Sequence, residues 1–221
     1  MGYADFSSEL ENPMLYPLLI LIGIIAGFLA AKKLGVKPVG VTDGAWLAAV
    51  PGMIIGMKFP VLLSYGFTPD MIFSGKSFFG GILGAFLTVN LYKFLTKQAQ
   101  SSFGDRFAPS LAIAAAFGKI GCYLNGCCAG RDGFPAQLVE SGFHFAMFLI
   151  LYHLYGKERF KGMLFPLYML SYMIMRFLIE FVRIEPKIAW DMTVYQIMAL
   201  AFAPLFIFIL LKRKKENAKQ L

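Results

Sequence analysis

The sequence predicts an all-α polytopic membrane protein. It reads as one domain over residues 1–221, with seven transmembrane helices, an external N-terminus and a cytoplasmic C-terminus. Three observations carry this. The chain is 58% hydrophobic and 16% aromatic with a mean hydropathy of +0.64, beyond the usual range of a soluble domain. Its apolar runs recur at lengths that cross a ~30 Å hydrocarbon core. Its cations gather on alternate connections, as the positive-inside rule requires.

The expected spans are Met14–Ala31, Ala45–Tyr65, Phe78–Leu95, Phe107–Leu124, Ser141–Tyr155, Gly162–Val182 and Met192–Leu211. The fifth is the shortest, and its apolar pattern also allows a start near Gln137. No positively charged n-region precedes the first span and no small-residue cleavage site follows it, so it reads as a retained helix rather than a signal peptide.

A net charge of +8 would suit a nucleic-acid binder, but its distribution excludes that reading. Lys32, Lys33 and Lys37 fall on the first inner connection, Lys93, Lys97 and Arg106 on the second, and Lys157, Arg159 and Lys161 on the third. Lys212, Arg213, Lys214, Lys215 and Lys219 fill the tail, whereas only Lys76, Arg131 and Lys187 fall outside. The basic tail suits anionic lipid and reports orientation.

Lys58, Lys119, Arg176 and Arg183 fall within spans or at their ends, toward the outer half of the bilayer. A cation at the centre of a helix in hydrocarbon costs at least ~2.5 kcal/mol, so each should face protein or water. Snorkelling would account for any one of them alone. Four at similar depth suggest a cationic pocket for a phosphate or another anion. In YMIMRFLIEFVR, Tyr172, Arg176, Glu180 and Arg183 recur at helical spacing and share a stripe about 80° wide. Glu180 can pair with both arginines, leaving a positive surplus.

Gly80, Gly81 and Gly84 open the third span, where small residues allow close helix approach. Gly126 and Gly130 lie in a turn, where backbone N–H groups can reach an anion. Cys122, Cys127 and Cys128 are the chain's three cysteines. Two readings of them stand open: a bracing disulfide on an oxidising exterior, or a thiol activated by Lys119 or Arg131. Metal binding suits them less, because C-x4-C-C without a nearby histidine is a poor tetrahedral set; no metal or cofactor is expected. His144 and His153 read as packing residues, with His144 also placed to act as a base.

GKSFFGGILG, APSLAIAAAFGKIGCYLNGCCAGR, FPAQLVE and YMIMRFLIEFVR, in this order and spacing, resemble the prolipoprotein diacylglyceryl transferases of bacteria. The resemblance covers about half the chain, from Gly75 to Arg183, and Tyr16 with the apolar run after it is similar to the family's opening helix. It implies a seven-span enzyme of the bacterial cytoplasmic membrane that moves diacylglyceryl from phosphatidylglycerol to the lipobox cysteine of secreted lipoprotein precursors. By the same resemblance Lys119, Tyr172, Arg176 and Glu180 are catalytic. Substrate binding then falls to Tyr16, Lys58, Gly80, Gly81, Cys122, Asn125, Gly126, Cys127, Cys128, Gly130, Arg131, Gln137, Glu140 and Arg183.

The chain also departs from that pattern. Phe79 and Phe134 stand where the family has histidines, Lys58 and Lys119 where it has arginines, Cys122 where it has asparagine, and Cys127 where it has glutamate. Lysine keeps the charge but loses the planar fork that grips phosphate. Two alternatives to the family reaction follow: a phospholipid-using transferase with another acceptor and a role for its own cysteines, or a non-enzymatic lipid or anion carrier.

Overall fold

A computed structural model describes residues 15–35, 44–97 and 103–219. It is built from α1 (Leu15–Lys33), α2 (Ala45–Tyr65), the short α3 (Pro69–Phe73), α4 (Phe78–Leu95), α5 (Phe103–Leu124), α6 (Ala136–Leu154), α7 (Leu164–Ile179) and α8 (Val194–Ala218). Two 3-10 turns (Arg131–Gly133 and Glu158–Phe160) and a hairpin of β1 (Lys187–Ala189) and β2 (Met192–Thr193) complete it.

The all-α membrane class holds. Among the described residues, α1, α2, α4, α5 and α8 are each long and apolar enough to cross a bilayer. The two other expected spans are helices as well, but α7 has 16 residues, and α6 carries Gln137, Glu140 and His144 among its apolar side chains. The span expected at Ser141–Tyr155 starts upstream at Ala136, next to the alternative start at Gln137. Met14 and Lys37 lie outside the described residues.

The chain divides into two compact units. In the first, made of residues 1–36, 102–184 and 198–221, α1 packs on α5 and α5 on α6. A side chain at Gly23 or Gly27 would press on the carbonyls of Ala114 or Ser110 at 3.0 and 2.9 Å, so these glycines let the helix backbones meet. Polar ties join the connection between α6 and α7. Asp105, 8% exposed, accepts N–H bonds from Gly162 and Phe165 at 2.5 and 3.1 Å. Asn217 donates to the carbonyls of Arg159 and Lys161 at 2.9 and 3.0 Å. Each supplies a partner that backbone groups at helix ends otherwise lack.

The second unit holds residues 37–101 and 185–197. There α2 and α4 cross through glycine: a side chain at Gly80 would strike the carbonyl of Gly56, and one at Gly84 the carbonyl of Gly52. Ser77 caps α4 by accepting the N–H of Gly80 at 3.2 Å. The hairpin turns at Trp190 and Asp191, both with positive φ, and Tyr65 donates to Glu185 at 3.0 Å.

Candidate functional site

Polar side chains cluster in the first unit, where α5, α6 and α7 meet. On α6, Gln137, Glu140, Ser141 and His144 recur at helical spacing, so an otherwise apolar helix turns one polar stripe inward. Ser141 fixes the contact with α5 by donating to the carbonyl of Ala116 at 2.9 Å.

Glu140 is fully buried and gathers three cations. Lys119 pairs with its Oε2; Arg176 Nη1 reaches Oε1 at 2.8 Å, and Arg183 Nη1 reaches the same oxygen at 3.3 Å. The second carboxylate, Glu180, accepts Arg176 Nη2 at 2.7 Å and faces Arg183 Nε at 3.3 Å. Arg176, Glu180 and Arg183 are 3%, 3% and 4% exposed, and the Lys119 side chain 11%. The expected pairing within the α7 stripe is therefore present. Counting Lys119 and Glu140 with it, three cations face two carboxylates among the described residues, a net charge of one positive unit for these five groups in a low-dielectric setting.

The loop after α5 closes over this network. Gln137 Nε2 donates to the carbonyl of Cys127 at 2.6 Å, and Arg183 Nη1 to that of Cys128 at 3.0 Å. Gly130 bridges to Arg183, and Arg131 N–H donates to Val182 at 2.7 Å. A Cβ at Gly130 would lie 2.9 Å from the carbonyls of Phe134 and Val182, so glycine is required for this approach. The side chains of Asn125 and Arg131 belong to exposed residues of the same loop.

All three cysteines are free thiols, with their Sγ atoms within 4.8 Å of one another. Hydrogen bonds from Cys122 and Cys127 hold the Cys128 thiol well below its ordinary range, and Arg183 and Lys119 add to the effect. Tyr16 lies against Gly121, where an added Cβ would sit 3.1 Å from its ring.

Tyr172, 1% exposed, meets the ring of His144 edge-on at 4.7 Å, and His144 Nδ1 bonds Tyr168 Oη at 2.9 Å. The histidine is thus part of a buried aromatic layer beside the ion network. In the second unit, Lys58 donates to the carbonyls of Phe73 and Gly75 at 3.0 and 2.8 Å, Gly80 serves the helix crossing, and Gly81 lies beside Met53. Sequence reasoning missed Tyr168 and Ser141, and it did not make Glu140 the hub. The signal available was the Gln137–Glu140–Ser141–His144 periodicity on one face of α6.

Comparison with known proteins finds relatives along most of the chain. The sequence model of the prolipoprotein diacylglyceryl transferase family matches residues 12–212. A phosphatidylglycerol–prolipoprotein diacylglyceryl transferase 2 of Clostridium perfringens is 30% identical over 203 residues, covering 78% of this chain and 79% of the relative. The corresponding transferase of Finegoldia magna is 26% identical over 235 residues, covering 93% of each chain. That of Campylobacter jejuni is 32% identical over 164 residues, covering 65% of this chain and 60% of the relative.

Proposed function

The chain belongs to the prolipoprotein diacylglyceryl transferase family, a family of multi-pass membrane transferases, and from that premise we propose that it moves the diacylglyceryl group of phosphatidylglycerol, or a similar anionic phospholipid, to a thiol acceptor. The acceptor in this reading is the lipobox cysteine of a prolipoprotein, as the relatives' names state for them. The observation that carries it is the buried network on α5, α6 and α7 with its surplus positive charge.

The acceptor sulfur attacks the glyceryl carbon that bears the phosphate. A C–S bond forms, the C–O bond to phosphate breaks, and glycerol phosphate leaves with the electron pair while the thiol proton passes to solvent. Charge grows on the departing phosphate, so fixed cations in a dry site stabilise that transition state more than the ground state. Lys119, with the most accessible side chain of the three cations, is placed to meet the phosphate. Arg176 holds Glu140 and Glu180 through the two ends of its fork, Glu180 sets Arg176 and Arg183, and Tyr172 supplies a hydrogen-bond donor beside them. Glycine-rich turns at Gly126 and Gly130, with Arg131, Asn125 and Gln137, form the substrate side. Tyr16 contributes from α1.

In this reading the domain spans the bacterial cytoplasmic membrane seven times, with α6 and α7 as the two spans of lower apolarity. The loop from Asn125 to Glu140 is external and the basic tail cytoplasmic. A second reading, transfer to another acceptor, is favoured by Cys122 and Cys127, which occupy positions of asparagine and glutamate in the family pattern. One experiment tests both. Purified protein is incubated with labelled phosphatidylglycerol, with and without a lipobox peptide, followed by mass analysis of lipid, peptide and protein. Release of glycerol phosphate together with a diacylglyceryl peptide supports the first reading. Peptide-independent release supports the second, and intact lipid in both arms refutes the transferase.

A further inference from the structure

The bond-making steps of transfer to a lipobox cysteine use none of this chain's own three thiols. Cys122 lies in the last turn of α5, and Cys127 and Cys128 follow the turn at Asn125 and Gly126. Neighbouring side chains on extended backbone point to opposite sides. Here φ is +64° at Gly126 and +65° at Cys128, so the chain doubles back and brings both following sulfurs to Cys122. Positive φ is uncommon for a residue with a side chain, so this convergence carries some backbone cost at Cys128. The Cys127 N–H bond to the Cys122 carbonyl, 3.1 Å long, pins the loop in this form.

Three metal–sulfur bonds of ~2.3 Å in one plane put sulfurs about 4 Å apart. The Sγ atoms here stand within 4.8 Å of one another, a small side-chain adjustment from that triangle. Among the described residues, no carboxylate or imidazole belongs to the cluster. Structural zinc sites close with four ligands, whereas soft thiolates also select copper(I).

We propose that Cys122, Cys127 and Cys128 form a three-coordinate thiolate site for a soft cation, copper(I). Each thiol gives its proton to water as its sulfur–copper bond forms; copper arrives as copper(I), so no electron moves. Three thiolates and one monovalent cation leave two negative charges. Arg183, bonded to the Cys128 carbonyl, and Lys119, one turn before Cys122, supply positive charge next to the cluster. Loading ties the loop to the end of α5. Because the carbonyls of Cys127 and Cys128 hold Gln137 and Arg183, it also stiffens the outer wall of the ion network.

The test uses the full chain, purified in detergent under anaerobic reducing conditions and titrated with copper(I) against a chromophoric copper(I) chelator. About one copper per chain should resist the chelator, show about three sulfur neighbours at ~2.3 Å by X-ray absorption, and raise the melting temperature. The triple variant Cys122→Ser, Cys127→Ser, Cys128→Ser should lose all three effects. Cys128 is exposed, so Cys128→Ser should keep the metal-free melting temperature of the wild type while losing copper retention. Wild-type retention equal to that of either variant, or a nitrogen or oxygen neighbour completing a four-coordinate copper, overturns the proposal.

Discussion

Replacing Lys119 by methionine separates the rate contribution of the network from its structural contribution. The substitution keeps an unbranched side chain but deletes the ammonium that pairs with Glu140, so three cations against two carboxylates become two against two. Glu140 keeps Arg176 at 2.8 Å and Arg183 at 3.3 Å, so it is not left as an unpaired buried charge. Stripping such a group of all partners costs about 3–5 kcal/mol; with two cations remaining, the loss is about 1–2 kcal/mol. The chemical step is hit harder. A departing phosphate in a site with no surplus charge loses an interaction of the kind whose removal lowers kcat by about 10²–10³-fold. The expected result is a folded protein, with a melting temperature a few degrees lower, that releases glycerol phosphate from labelled phosphatidylglycerol at about one hundredth of the wild-type rate or less. Full turnover in Lys119→Met would refute the assignment of phosphate stabilisation to this cation.

Lys119→Arg restores the bidentate fork, so turnover should equal or exceed that of the wild type in the same assay. Arg176→Ala takes from Glu180 its 2.7 Å cation and removes the link between the two carboxylates; turnover should vanish and stability fall by about 3 kcal/mol or more in denaturant unfolding. Gly84→Val drives a side chain into the Gly52 carbonyl and should cost about 1–3 kcal/mol by thermal unfolding in nanodiscs, with the ion network intact. In a cysteine-free background, Asp132→Cys should react with an impermeant maleimide from outside intact cells; reaction only after permeabilisation would reverse the proposed topology.

The five long apolar helices were legible because they rest on local composition. Ala45–Tyr65 and Phe78–Leu95 end where read, since in each an apolar run meets turn residues: Gly66 after the first, Ser77 before the second. The α6 boundary was blurred by its polar stripe. Gln137 and Glu140 lower the apolarity of its first turns, and what makes them helical is the bonds they make to the rest of the fold. The hairpin at 187–193 escaped notice because two very short strands turn through Trp190 and Asp191, without the glycine or asparagine that usually marks positive φ. Asp105 was equally hidden, since its partners at Gly162 and Phe165 lie more than fifty residues away.

The ion network shows the same division between local and distant information. Arg176, Glu180 and Arg183 could be paired from sequence because helix periodicity puts them on one face. Lys119 and Glu140 could not, because their meeting depends on how α5 and α6 pack, fixed in part by Ser141 on Ala116. That packing also changes the chemical reading. The α7 stripe alone has two arginines for one carboxylate and resembles a ready anion clamp. With Glu140 added, both arginines are already engaged by carboxylates, and the surplus charge belongs to the whole cluster. The cation best able to move toward a substrate is then the lysine at the more open end of the network, not either arginine of the stripe that first drew notice.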